Sequence, residues 1–112
     1  MAVVDLEPMT GFEERAEDAA RMMKLLANEK RLMILCRLAE AGEASVGTLA
    51  ESVGLSQSAL SQHLAKMRQE GLVAYRRDAQ TLFYRVDDVN AGRILMLLKD
   101  IYCTPAEPVA AS

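Results

Sequence analysis

Between Ser56 and Gln69 the sequence SQSALSQHLAKMRQ offers short hydroxyls and amides where a solvated helix usually carries Glu and Lys. Leu60, Leu64 and Met67 recur at i, i+4 and i+7 and must face a core, which leaves Ser58, Ser61, Gln62, Ala65 and Gln69 on the opposite side. That face suits base edges: Gln can form a bidentate pair with adenine, Ser can bond a base edge or a phosphate, and Ala can touch a thymine methyl. Gln57 at the helix start, and Lys66 and Arg68 further along, extend the candidate DNA-binding set. The one histidine, His63, lies near the apolar edge, where packing or a phosphate contact suits it better than metal ligation. The other candidate chemistry is sulfur. Two cysteines, Cys36 and Cys103, are present, and with no C-x-x-C spacing they do not mark a disulfide reductase. Taken alone, Cys36 reads as a small core hydrophobe and Cys103 as a terminal thiol.

The polar face needs a scaffold, and the residues before it supply one. From Val46 to Met67 the chain reads as a helix, a tight turn and a second helix. Ala50 permits close helix approach, Gly54 tolerates a positive φ in the turn, Leu60 lies under the second helix, and Ser56 stands where an N-cap should. After Gly71 the pattern changes to alternation. LVAYRR and TLFYRV are strand-forming runs joined across DAQ, with Asp78 favouring the turn. A hairpin directly after a reading helix is a wing, and its tip offers Arg77, Gln80 and Thr81 to the minor groove or to phosphate.

Upstream, Phe12, Ala16, Ala19, Met23 and Leu26 alternate spacings of four and three. That is the seam of a helix packing lengthwise, either on its own domain or on a partner. Asn28 caps a second helix that Gly42 ends, and Leu32, Leu35, Cys36 and Ala39 share its apolar face. Glu43 to Ser45 can form a short strand. The last helix, Asp88 to Cys103, carries Ala91, Ile94, Leu95, Leu97, Leu98, Ile101 and Tyr102 over an arc of roughly 160°, wider than the roughly 100° stripe of a one-sided helix. Part of it is expected to belong to a second subunit. The expected fold is mainly α with a small β-hairpin wing: a winged helix-turn-helix, homodimeric through its first and last helices. Two reading helices roughly 34 Å apart then address a palindromic double-stranded operator.

The length, 112 residues with 51% hydrophobic content, fits one domain over 11–103, with a disordered arm at 1–10 and a disordered Pro- and Ala-rich tail at 104–112. No membrane-length apolar run and no secretory signal are present, so a cytoplasmic protein is expected, with no membrane partner. The net charge of −3 hides an asymmetry. Residues 1–20 carry six acids and one base, whereas residues 56–86 carry five bases (Lys66, Arg68, Arg76, Arg77, Arg85) against two acids. The local surplus beside the reading helix is what phosphate contact requires.

From about Met23 to Cys103 the chain resembles the arsenic-repressor (ArsR) family, through LLANEKRLMILCRL, VGTLAESVGLSQSALSQHLAKMRQEGLV and RRDAQTLFYRV. The resemblance implies a bacterial homodimeric transcriptional regulator, usually a repressor, with no enzymatic activity and no cofactor. Many relatives sense metals, through a Cys pair on the helix before the reading helix or through Asp and His on the last helix. Val46–Val53 has no thiol and Asp88–Cys103 no His, so no metal site is expected. Cys36 in LMILC and Cys103 in DIYC match instead the dithiol branch, the SqrR, BigR and HlyU type. There, reactive sulfur species or oxidants link the thiols by a disulfide or polysulfide and weaken DNA binding. A sister type, the nodulation regulators, shares SQSALSQHL and RRDAQT without this thiol pair and is the first alternative; a metal-sensing repressor, through unfamiliar ligands such as Asp, Glu and His63, is the second.

Overall fold

The computed structural model describes residues 10–103; the expected tail at 104–112, and all but the last residue of the expected arm, lie outside the described residues. Five helices and three strands follow in order: α1 (Phe12–Leu26), α2 (Glu29–Ala41), β1 (Ala44–Ser45), α3 (Val46–Val53), α4 (Gln57–Gln69), β2 (Val73–Asp78), β3 (Thr81–Val86) and α5 (Val89–Tyr102). Helices α2 to α5 each begin at a side-chain oxygen that accepts an otherwise free amide. Asn28 accepts from Arg31 at 2.9 Å, Ser45 from Thr48 at 3.3 Å, Ser56 from Ala59 at 3.1 Å and Asp88 from Ala91 at 2.9 Å. Each such cap stabilises its helix by about 1 kcal/mol and pins where it starts. Between α3 and α4, Gly54 takes a left-handed φ of 73°, so the chain reverses without strain.

The strands form one antiparallel sheet in the order β1-β3-β2. Tyr75 stands opposite Tyr84, their rings 5.3 Å apart. Asp78 pairs with Thr81, so it ends β2 and does not occupy the turn; Ala79 and Gln80 make the reversal. Ala79 has a φ of 57°, the positive value that a two-residue hairpin turn demands and that glycine supplies more easily.

The core joins every element but most of α1. Ile34, Leu35 and Leu38 of α2, Leu49 of α3, Leu60, Leu64 and Met67 of α4, Leu72, Val73 and Leu95 are all buried. The seam expected along α1 finds no cover within the protomer: only Leu26 is buried, with Met22 and Leu25 half-buried against the core, while Phe12 and Met23 are 44% and 61% exposed. The wide arc of α5 divides as well. Ala91 and Leu95 are buried and Ile94 and Leu98 half-buried, but Leu97, Ile101 and Tyr102 face solvent.

Arg31, at the elbow between α1 and α2, ties three elements together. Its Nη1 donates to the Leu25 carbonyl at 2.8 Å and lies 2.8 Å from Oε1 of Glu70, the C-cap of α4. The ion contact lacks hydrogen-bond alignment and leaves Oε1 otherwise unpartnered. Both side chains are largely shielded, at 11% and 24% exposure, so loss of the cation strands a carboxylate in a poorly solvated place. Arg31→Ala is therefore expected to lower unfolding stability by about 1–3 kcal/mol. A urea double-mutant cycle with Glu70→Gln should show a coupling of at least about 0.5 kcal/mol; additive losses would mean that the two groups act separately.

Candidate nucleic-acid interface and thiol groove

Burial of Leu60, Leu64 and Met67 turns the other side of α4 outward, and Gln57, Ser58, Ser61, Gln62, Ala65, Lys66, Arg68 and Gln69 are all exposed. Ser56 is exposed too, but its oxygen already caps the Ala59 amide, which leaves its hydroxyl proton as the group to offer elsewhere. His63 is half-buried beside the apolar edge. The sequence therefore placed the face correctly because all of its determinants lie on one helix.

The positive charge is distributed differently from the sequence count. Arg76 is taken up by Glu43: its Nε and Nη2 donate to the carboxylate at 2.8 and 3.0 Å, and its guanidinium lies 4.7 Å from the Phe83 ring centre. The hydrogen bonds from Arg76, and then its charge, hold the Glu43 carboxyl below the usual carboxylate range. Arg85 stands 3.6 Å from Asp87. Arg68 reaches from α4 across to β2, its guanidinium 4.9 Å from the Tyr75 ring centre, so it fastens the wing to the reading helix. Among the described residues Lys66 and Arg77 form no ion pair. Of the five bases counted, three keep charge to spare: Lys66, Arg68 and Arg77. Glu43, Tyr75 and Phe83 were missed as partners because strand register, not local spacing, brings them there. Gln80 and Thr81 are exposed at the wing tip as expected.

The two thiols line a groove in another place. Cys36 on α2 and Cys103 at the end of α5 line one groove of about 450 Å³, together with Met33, Leu95, Met96 and Tyr102. Both are free thiols; Cys36 is half-buried and Cys103 exposed. Burial pushes the Cys36 thiol above its ordinary pKa, and the negative charges of Cys103 and then Glu40 push the same way. Cys36 is thus held in its protonated form at neutral pH. Among the described residues no three His, Cys, Asp or Glu side chains are placed to hold a metal ion, and no helix is long and apolar enough to cross a membrane.

Residues 28–75 match the sequence profile of "Bacterial regulatory protein, arsR family". The transcriptional activator HlyU of Vibrio cholerae is 46% identical over 92 residues, which is 82% of this chain and 84% of HlyU. The chain belongs to the ArsR family. This ArsR protein is a DNA-binding transcriptional regulator, and its fold is the family's winged helix. Nodulation protein NolR of Rhizobium meliloti is 53% identical over 89 residues, 80% of this chain and 72% of NolR. The structure of HlyU from Vibrio cholerae superposes with a TM-score of 0.75 over 82% of this chain and 99% of that one. The transcriptional repressor BigR from Xylella fastidiosa, at 37% identity, superposes with a TM-score of 0.78 over 88% and 99% of the two chains.

The raised Cys36 thiol has a measurable consequence. Its alkylation by iodoacetamide should rise with pH to a midpoint above the roughly 8.5 of an ordinary thiol. Cys103→Ser should lower that midpoint more than Glu40→Gln, since the Cys103 charge is the larger influence. Peptide mapping by mass spectrometry reads this directly; a midpoint at or below the ordinary value would show that burial does not control the group.

Proposed function

We propose that this ArsR-family regulator is a homodimeric repressor whose affinity for a palindromic operator falls when Cys36 and Cys103 are linked in response to reactive sulfur species or oxidants. The observation that carries the reading is the shared groove: two free thiols, 67 residues apart in sequence, line one cleft between α2 and α5. The dimer is supported by the uncovered apolar residues, Phe12 and Met23 on α1 and Met96, Leu97, Ile101 and Tyr102 on α5, which sit on the two helices that can extend into a partner. DNA contact falls to the polar face of α4 and to the wing. Ser58, Ser61 and Gln62 meet base edges, Ser56, Gln57 and His63 the flanking backbone, and Lys66, Arg68, Arg77, Gln80 and Thr81 the phosphates and the adjacent groove.

In the linking step the thiolate of exposed Cys103 attacks the terminal sulfur of a persulfide and releases a thiolate. Cys36 then gives up its proton and attacks the Cys103 sulfur, expelling sulfide, so the two electrons lost by the thiols leave on that sulfur. Retention of additional sulfane sulfur gives a longer bridge, each atom adding about 2 Å of reach. The relatives give the reading support of its own: BigR is named a transcriptional repressor, and HlyU of Vibrio cholerae has been solved in a form described as reduced, with a TM-score of 0.76 to this chain. A second reading, an operator-binding regulator without a thiol switch, is favoured by the 53% identity to the nodulation protein NolR.

The contacts and the switch separate cleanly in experiment. Lys66→Ala and Arg77→Ala should each weaken binding to any sequence and flatten the salt dependence by about one unit of slope. Gln62→Ala should cost about 1–3 kcal/mol and relax discrimination at one position. Persulfide treatment of the wild type should weaken operator binding, measured by fluorescence anisotropy, by about tenfold or more, or ~1.4 kcal/mol. Cys36→Ser and Cys103→Ser should each bind the operator normally and lose that response. A response that survives in either variant would overturn the Cys36–Cys103 linkage, and a wild type whose operator affinity ignores persulfide would favour the unswitched reading.

A further inference from the structure

The groove holds more sulfur than the switch uses. Met33 stands one helical turn before Cys36, so the two share a face of α2, and Met33 lines the same cleft as Cys103. At 43% exposure it is not held there by core packing. Two thiols and one thioether, with no imidazole beside them, make a poor zinc site, because zinc favours four nitrogen or sulfur ligands in a tetrahedron. Soft monovalent ions are different: thiolates and thioethers are the donors they select.

We propose that Cys36, Cys103 and Met33 form a binding site for a soft monovalent cation of the Cu(I) and Ag(I) class, with the two thiolates as principal ligands and the thioether as the third. Binding moves no electrons. One proton leaves each thiol, two metal–sulfur bonds form, and the bis-thiolate complex carries a charge of −1. The groove is suited to that charge, since Arg37 and Lys99 line it against the single carboxylate of Glu40. Arg37 lies 3.7 Å from Glu40, which leaves Lys99 as the cation not committed to an ion pair among the described residues. The geometry is also more permissive than a disulfide. Two metal–sulfur bonds of about 2.3 Å hold sulfurs roughly 4.5 Å apart, over twice the span of an S–S bond. The Cys103 charge felt at Cys36 supports the convergence of the two. A cation so held also protects both thiols from sulfur transfer. The site requires only that the thiols converge, not that their linkage releases DNA.

Silver tests this without ambiguity, because Ag(I) does not oxidise the thiols in the way cupric contamination does. The reduced full-length chain is titrated with Ag(I) against dithiothreitol and followed by native mass spectrometry. One Ag(I) per protomer with the loss of two protons is expected. Cys36→Ser and Cys103→Ser should each lower the affinity about a hundredfold and Met33→Leu about tenfold, with Met96→Leu, on the same groove, unchanged. Any other stoichiometry, or single-cysteine variants that keep wild-type affinity, overturns the site. Two Ag(I) per protomer, one on each thiol, in a protein whose metal-free thiols are still linked by persulfide removes this site and leaves the switch; paired silver binding in a protein whose operator affinity ignores persulfide removes the switch and leaves the site.

Discussion

Three side chains, Leu60, Leu64 and Met67, decide which way the reading helix faces, and most of the molecule follows from that decision. Each is completely buried, and burial of such a side chain is worth about 1.5–3 kcal/mol. Together they contribute roughly 5–9 kcal/mol, comparable with the whole stability of a domain this size, about 5–15 kcal/mol. No polar contact on the outer face competes with that. The serines and glutamines are presented to solvent as a consequence of the apolar edge, and the caps at Ser45 and Ser56, with the reversal at Gly54, only set where along the chain the presentation begins. Arg68 then carries the orientation onward, stacking on Tyr75 so that the wing is fixed relative to the face.

The same accounting leaves a surplus elsewhere. α1 anchors itself through Leu26 and the Arg31 contact with Leu25 and Glu70, yet its earlier turns leave Phe12 and Met23 in solvent. α5 fills the core with Ala91 and Leu95 and exposes Leu97, Ile101 and Tyr102. Under the proposed dimer these are one fact: the protomer is shaped by surfaces that it cannot cover alone. The ion pairs along α1, Arg15 and Arg21 with Asp18, are exposed and add little to holding it in place.

What could be read from the sequence was whatever depends on neighbours within one element. The two faces of α4, the caps at Asn28 and Ser56, the end at Gly42 and the hairpin after Gly71 are all local, and each appears where periodicity and turn chemistry put it. The readings that shifted depend on distance in sequence. Glu43 and Arg76 meet 33 residues apart only because β1 and β2 flank β3, and this takes one of the five bases out of the positive stretch. Asp78 was expected in the turn, but the strand pairing extends through it and leaves the reversal to Ala79 and Gln80. The α1 seam was legible as a seam, though spacing does not say whose surface completes it. The convergence of Cys36 and Cys103 has no periodic signature at all; resemblance suggested it, and the α2–α5 groove gives it a place.

The energetics also constrain how a bridge in that groove could act in the proposed switch. A tenfold change in operator affinity is about 1.4 kcal/mol, several times less than what holds α4 to the core. Linkage therefore has no means of unseating the reading helix, and no need to. Cys36 belongs to α2, whose Ile34, Leu35 and Leu38 are fully buried, so it moves little. Cys103 ends α5 beside Ile101 and Tyr102, which have no cover in the protomer. The end of α5 is the compliant partner, and drawing it toward α2 alters the surface offered to a second subunit while each α4 stays seated. Two intact reading heads at the wrong separation bind a two-fold operator poorly, and a small displacement at the helix that sets their spacing is enough to account for a change of that size.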